Sequence, residues 1–490
     1  MNLGIGLLDS LIILGYMLAV VAFGLWLGRK KQDTADYFLG GRALPWGALL
    51  LSIVATETST VTFLSIPGIS AGAGGNFTFL QIALGYIVGR FFVIAFLLPL
   101  YFHGAPFTAY EVLEGRFGSL SRRAVSGLFL LTRNVSDALR LFLTALVLQI
   151  VLGLDIASSI IAIGVVTILY TFVGGAKSVI WNDCIQFVIY MLGAAAIAMI
   201  IVDGAPGGWS QIVSFAAQHE KLQLFDFEFS LVKPTMTFWA GLAGGAFLTA
   251  ATHGTDQLMV QRYLSARSRK DASLALGFSG FIVLLQFAVF LAIGVGLAWF
   301  ASAASANAFP AELKNDQLLA YFVVHYMPAG LLGLTLAAVF AAAMSTLSSS
   351  LNSSAAAFCT DIYLPLRAGS AAPVNAMKVG RMATVGFGIV QAGIAILFAM
   401  LGSDESTVSN VLKISGFATG PVLGLYLLAV FAPHVEQRAA VGGFIAGVAI
   451  LSWLAMGTAL YWPWYALAGS LATLLSGITV SLLLPARRLR

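Results

Sequence analysis

Long apolar runs follow one another from Leu7 almost to the last residue, each ended by a short cluster of Gly, Pro, Ser, Asn or charged side chains. The runs reach about 20 residues, enough for a helix to cross a hydrocarbon core roughly 30 Å thick. Runs and breakers together predict thirteen helical spans, near 7–28, 43–71, 76–102, 124–153, 156–173, 178–202, 235–263, 272–300, 328–362, 376–402, 406–432, 439–459 and 464–484. The fold class is therefore an all-α polytopic membrane protein, one transmembrane domain over residues 1–490. No basic segment precedes the first run, so it reads as a retained span and not as a cleaved signal.

Two runs break the pattern. "IVATETSTVTFLSIPGISAGAGG" (53–75) and "AGLAGGAFLTAATHGTDQLMVQRYL" (240–264) are long, and both are interrupted by Gly, Thr and other polar residues. Five spans begin with each. Paired broken helices at matching positions in two halves point to inverted repeats, here 43–202 and 235–432, with a binding site near the midplane. The span at 7–28 would lead the repeats, and two more, within 439–484, would trail them.

Composition agrees: 59% of the 490 residues are hydrophobic and 10% charged, against about 25% charged in soluble domains. Placing the N-terminus outside puts nineteen cations in inner loops, from Arg29, Lys30 and Lys31 through Arg262 to the tail "ARRLR". Only Lys221, Lys233 and Lys314 then fall outside. The positive-inside rule selects that orientation, with the C-terminus in the cytoplasm and the protein in the cytoplasmic membrane. The net charge of +5 belongs to these membrane edges and does not suggest a nucleic-acid partner. Cys184 and Cys359 make neither a disulfide framework nor a metal set. Oligomeric state is left open, with a monomer as the default.

Four cations, Arg90, Arg133, Arg140 and Lys413, fall at membrane depth, with Glu57, Asp137, Asp183 and Asp256 at or near it. Intramembrane charge is costly and marks pathways and binding sites. A second polar feature is the stretch "FAAAMSTLSSSLNSSAAAF" (340–358), which carries seven hydroxyls. Ser345, Ser348, Ser349 and Asn352 share one helix face. Such a stripe offers oxygen ligands to a hard cation. It equally suits close helix packing, with hydroxyls bonded back to their own helix. In "GGAKSVIWNDCIQ" (174–186), Asp183 lies about a turn inside a span, where it needs a cation: an ion, Lys177, or an arginine of another span.

"GG…V…D..Q", "AAAMSTLSSSLNSSAAAFCTDIY", "GTDQLMVQRYLSARS" and "LGYIVGRFFVIAFLLPLYF" resemble, in order, motifs of the sodium/solute symporters, which include sodium/glucose and sialic acid transporters. The resemblance covers nearly the whole chain. It implies a LeuT-like core of two inverted five-helix repeats. It also implies a sodium site formed by the carbonyls of Ala55, Thr58 and Ala342 with the hydroxyls of Ser345 and Thr346. A second sodium would lie on Asp183, Ser345, Ser348 and Ser349. Solute would meet Ser59, Thr62 and Arg133, with Phe77 and Gln81 opposite and Asp256 nearby.

The residues agree in part with this assignment. Phe77 and Gln81 share a helix face, and the Arg133 guanidinium suits a carboxylate. Arg133, Asp137 and Arg140 could instead form a structural ion network, although two arginines on one aspartate leave positive charge over. His253 fits a packing role as well as a binding one, Glu57 fits a pairing with Arg90, and Lys413 has no assignable role. The expected function is sodium-coupled import of a small organic solute with one or two sodium ions and no organic cofactor. A carboxylate such as sialic acid ranks first, a monocarboxylate second and a neutral sugar third.

A passive cation channel and a transporter-like sensor are the rivals; no soluble signalling domain follows the last span. "GISAG" (68–72) matches a hydrolase elbow without the strand that motif requires. No P-loop, HExxH or dinucleotide fingerprint occurs, so an enzyme is not expected.

Overall fold

The computed structural model describes residues 6–29, 32–104, 106–303, 309–310, 313–367, 375–401 and 407–483. Lys30, Lys31 and the tail cations Arg487, Arg488 and Arg490, counted toward orientation, lie outside them. Among the described residues the regular elements are helical. They are α1 (Leu7–Gly28), α2 (Trp46–Glu57), α3 (Thr60–Ala71), α4 (Thr78–Tyr101), α5 (Glu111–Leu152), α6 (Ile156–Asp203), α7 (Gly208–Gln218), α8 (Gly245–Thr255) and α9 (Gln257–Leu264). After these come α10 (Arg269–Ala303), α11 (Leu318–Tyr326), α12 (Leu331–Ala357), α13 (Ala376–Leu401), α14 (Thr407–Phe431), α15 (Gln437–Gly457) and α16 (Trp464–Leu483). Nine helices among the described residues are long and apolar enough to cross a membrane, ten when the bent pair α2–α3 counts as one span.

At 48 residues, α6 is about 72 Å long, more than twice the hydrocarbon thickness. It breaks at Gly175, whose φ of +56° is left-handed and where a Cβ would lie 2.3 Å from the Tyr37 carbonyl. The two predicted spans 156–173 and 178–202 flank that break. α2 and α3 meet at 62° around Thr58 and Ser59. There "TETST" packs β-branched and hydroxylated residues whose side chains compete with helical backbone bonds. α8 and α9 part at Asp256, whose ψ of 125° is extended.

α12 is the inner post of the bundle. Each of its residues from Thr335 to Ala357 is enclosed by protein. The leading helix α1 packs Asp9, Ile13, Tyr16, Val20 and Gly24 inward along one face, while Leu7, Leu11, Leu14 and Leu18 remain exposed, as a lipid-facing side requires. Its buried Asp9 carboxylate accepts the backbone N–H groups of Gly330 (2.7 Å) and Gly333 (2.8 Å), capping the N-terminus of α12.

Candidate functional site: a buried oxygen cluster between two broken helices

The hydroxyls of α12 divide between both readings of the serine stretch. Ser348 and Ser353 donate back to the carbonyls of Ser345 (3.2 Å) and Ser350 (3.1 Å), as packing residues do. Others reach neighbouring helices. Ser345 donates to Asp183 Oδ1 on α6 (2.6 Å), Thr346 to the Thr56 carbonyl on α2 (3.2 Å), and Ser349 pairs with the Thr56 hydroxyl (3.3 Å). Ser52 of α2 completes the set by donating to Asp183 Oδ2 (2.5 Å). Oxygens from α2, α6 and α12 thus meet around one fully buried carboxylate.

Of the expected first sodium set, Ala55 and Thr58 border the end of α2, and Ala342 and Thr346 face them from α12. The Thr346 hydroxyl also reaches the Ala342 carbonyl (3.4 Å). The Thr58 hydroxyl turns away to Gln286 of α10 (2.8 Å). Ser345, expected in both sets, bonds to Asp183 of the second. In that set Asp183, Ser345 and Ser349 come together, while the Ser348 hydroxyl faces its own helix.

Sequence reasoning missed the central cation. Arg262, counted among the inner-loop cations, is a buried residue of α9. Its Nε donates to Ser52 (2.9 Å) and its Nη1 to the Leu258 carbonyl (2.6 Å). Its Nη2 donates to Asp183 Oδ2 (3.0 Å) and to the hydroxyls of Thr56 and Ser349. The guanidinium fork meets five oxygens, with the two Nη2 hydrogens shared among Asp183, Thr56 and Ser349. Asp183 therefore takes an arginine of another span, while Lys177 lies exposed. The available signal was position: Arg262 falls within the predicted span 235–263.

Each helix break carries an acid. Glu57 ends α2, where the helix dipole disfavours negative charge, and it pairs with the fully buried Arg90 of α4. Arg90 Nε donates to Ser279 of α10 (2.9 Å), and His253 Nε2 of α8 lies 3.5 Å from Glu57. At the other break, Asp256 Oδ1 accepts the Leu258 N–H at the start of α9 (2.9 Å), while Oδ2 takes Arg133 Nη2 of α5 (2.5 Å). Arg133 also lies 3.5 Å from Asp137, which holds Arg140 at 2.5 Å. Two arginines thus face two aspartates, so the expected surplus of positive charge at Arg133 is absent. Arg133 and Asp256 line a pocket with Tyr110, Ser136, Ser415 and Thr419 whose free space is about 30 Å³, room for one or two waters.

The remaining expected solute contacts divide. Ser59 holds the N-cap position of α3 without a side-chain capping bond and is buried, and the half-buried Thr62 donates to the Glu57 carbonyl at 3.5 Å. Both stand at the positive end of α3. Gln81 bonds to main-chain groups. Its Nε2 donates to the carbonyls of Thr78 (3.0 Å) and Met236 (2.9 Å), and its Oε1 accepts from Asp226 N–H (3.2 Å). That amide is spent on tying loops together. Phe77, half-buried, bonds through its N–H to the Gln223 carbonyl (3.1 Å). An opening of about 1050 Å³ lies toward the far end of α3, with Ser65, Phe79, Lys413 and Tyr465 on its wall. Lys221 closes that helix end, its ammonium donating to the carbonyls of Ser70 (2.8 Å), Ala71 (3.4 Å), Gly72 (3.0 Å) and Gly75 (3.2 Å).

Known proteins share this arrangement. The chain is 31% identical to the sodium/sialic acid symporter SiaT of Proteus mirabilis, over 99% of this chain and 97% of that protein. It is 29% identical to mouse sodium-coupled monocarboxylate transporter 2, over 88% of this chain and 69% of the relative. The solved structure of a Na⁺-coupled sialic acid symporter, in a substrate-bound outward-open state with a novel Na⁺ site, superposes with a TM-score of 0.90 at 31% identity, covering 99% of this chain and 100% of that one. The nucleobase-cation symporter Mhp1 shares the fold at a TM-score of 0.60 and 13% identity, over 91% of this chain and 94% of its own. The model of the "Sodium:solute symporter family" matches residues 37–447, and the chain belongs to that family.

Proposed function

We propose that this protein is a secondary active symporter in which inward sodium flow drives import of a small organic solute. The observation that carries the reading is the convergence of Asp183, Ser345, Ser349, Ser52 and Thr56, from three helices distant in sequence, on one buried point. The names of the relatives, sodium-coupled for both sialic acid and monocarboxylates, support it. Asp183, Ser345, Ser348 and Ser349 would hold one sodium. The carbonyls of Ala55, Thr58 and Ala342 with Thr346, and Ser345 as a shared member, would hold another across the break of α2–α3. Arg262 occupies the oxygens of the Asp183 set, so a cation entering there competes with its guanidinium.

A sodium bound across the break would favour one geometry of α2–α3, and coupling follows from its unequal affinity for the two access states. Each ion moving inward contributes about 2.3 kcal/mol per 100 mV of membrane potential. The thirteen-span count, the two repeats and the outside N-terminus belong to the same proposal.

A carboxylate such as sialic acid is the leading solute. The N-terminal turn of α3, with Ser59 and Thr62, offers N–H groups and hydroxyls to an anion, and Arg133 stands nearby as its fork. One observation favours a second reading. Because Asp137 and Asp256 balance Arg133 and Arg140, the site suits a neutral polar solute such as a sugar as long as Asp256 stays on Arg133.

The test is uptake into proteoliposomes, with and without a sodium gradient, over sialic acid, lactate and glucose. Sialic acid uptake should require the gradient, and Arg133→Ala should abolish it. Full uptake in sodium-free buffer overturns the coupling. Gradient-driven sialic acid uptake that survives Arg133→Ala overturns Arg133 as the carboxylate's partner, and no gradient-driven uptake of either sialic acid or lactate overturns the carboxylate assignment.

A further inference from the structure

One half-buried cation at the membrane edge has neither an acid nor an acceptor. Arg381 stands in the second turn of α13, its guanidinium carbon 5.6 Å from the centre of the Tyr37 ring and 5.7 Å from that of Phe172. Rings at that range attract the charge but leave the edge of the planar fork open. Among the described residues no oxygen takes any of its donors, and its Nε is closed off from water as well. A donor in that state calls for a physical reason.

The surroundings are electropositive. Lys378 is exposed one turn earlier on the same face of α13. Tyr37 belongs to the short helix Thr34–Leu39 and lies against the break of α6 at Gly175, with the exposed Lys177 just beyond. The end of α1 reaches the same place: a Cβ on Gly28 would lie 2.7 Å from the Val173 carbonyl, next to Phe172, and the exposed Arg29 follows. Cations from α1, α6 and α13 thus share one corner. Its acids, Asp33 and Asp36, accept each other's backbone N–H groups (2.7 and 3.3 Å).

The apolar side of the corner faces lipid. Trp26, with Arg29 at 5.1 Å over its ring, is exposed, as are Leu169 of α6 and Met382 of α13. Tryptophan beside a cation marks the headgroup level of a bilayer. Basic pockets between transmembrane helices on the cytoplasmic side suit anionic headgroups, and a guanidinium edge can give a phosphate two parallel N–H bonds.

We propose that this corner binds the phosphate of an anionic phospholipid, with Arg381 as the fork, Lys378 and Lys177 as neutralising charges, and the acyl chains along Leu169 and Met382. The leaflet is the one assigned above to the cytoplasm. The occupant is a lipid because the exposed apolar side chains continue directly from the cations. A bound headgroup would tie α13 to the break of α6 that precedes Asp183.

The experiment titrates purified full-length protein in detergent with phosphatidylglycerol, phosphatidylcholine or inorganic phosphate, reading bound lipid by native mass spectrometry and the thermal midpoint. Phosphatidylglycerol should bind more tightly than phosphatidylcholine and raise the midpoint, while inorganic phosphate at the same concentration does neither. Arg381→Gln should weaken phosphatidylglycerol binding about ten-fold and Lys378→Gln about five-fold. Arg381→Lys keeps the charge without the fork and should fall between Arg381→Gln and wild type. Arg123→Gln, which removes an exposed inner-loop cation outside the corner, should change nothing. Equal binding of the two lipids, or equal losses in Arg123→Gln and Lys378→Gln, overturns the proposal. Displacement of the lipid by an equal concentration of inorganic phosphate overturns the lipid as occupant. Should Arg381→Gln not fold, wild-type affinity in the exposed Lys378→Gln overturns the proposal. None of these readouts requires sodium or transport, so failure here leaves the symport reading standing, and the reverse.

Discussion

At the break of α2–α3, Glu57 lies at a helix C-terminus, where the backbone dipole opposes it, and Arg90 is enclosed on all sides. At the break of α8–α9, Asp256 lies at a helix N-terminus and already holds a backbone N–H, and its arginine borders a pocket. The same device, an acid at the gap and an arginine from a neighbouring helix, therefore has two different energetics. Glu57 has side chains alone as partners, Arg90 and, at 3.5 Å, His253, whereas Asp256 retains a backbone N–H when Arg133 moves. The first pair is a fixed joint. The second keeps a partner for its acid even when its arginine is drawn away.

The sharpest way to break this comparison is to remove each arginine in turn. Arg90→Met should destabilise the protein by about 3–5 kcal/mol, the cost of stranding a buried partner, seen as a large drop in thermal midpoint in detergent. Arg133→Met should cost less, about 1–3 kcal/mol, and adding Asp256→Asn should restore part of that loss. Equal costs at the two breaks would mean that the helix ends do not distinguish them.

The far end of α3 offers a milder test. Lys221→Met removes one ammonium from four carbonyls and should cost about 2 kcal/mol, with faster backbone hydrogen exchange at 71–75. No change there would leave α3 held by its neighbours alone.

The smallest effect belongs to the loop that follows. The Lys233 ammonium, 2.9 Å from Asp226, holds that carboxyl below its usual value of 3.8. A depressed carboxylate contributes stability above pH 3.8 and loses it as pH falls through its lowered value. Hydrogen exchange in 222–234 should therefore rise only below that point, and Lys233→Met should move the onset upward.

Much of this organisation was legible in residue order. The apolar runs and the paired interruptions follow from local patterns that a helix period or a bilayer thickness converts into geometry, whereas the Asp183–Ser345 meeting was implied by the family resemblance alone. The partners of charged groups did not follow. Arg133 shows its neighbour Asp137 four residues on, but Asp256 arrives from 123 residues away and cancels the surplus charge. Gln81 looks available because its acceptors, Thr78 and Met236, are main-chain atoms that carry no sequence signature. Arg262 sits near a predicted span edge, where counting cations assigns it to water; only tertiary contact shows it at Asp183.

The Asp9 cap has a consequence for biosynthesis. The carboxylate and the amides that donate to it are separated by 321 and 324 residues, so α1 waits for the synthesis of all that intervenes before its charge finds a home. Until then an acidic group stands on a helix in lipid, a state that translocation and quality-control machinery can sense. Completion of that contact reports that the buried helix α12 has been inserted. Chains stalled before Gly330 should therefore be cleared faster when Asp9 is present than when it is replaced by alanine.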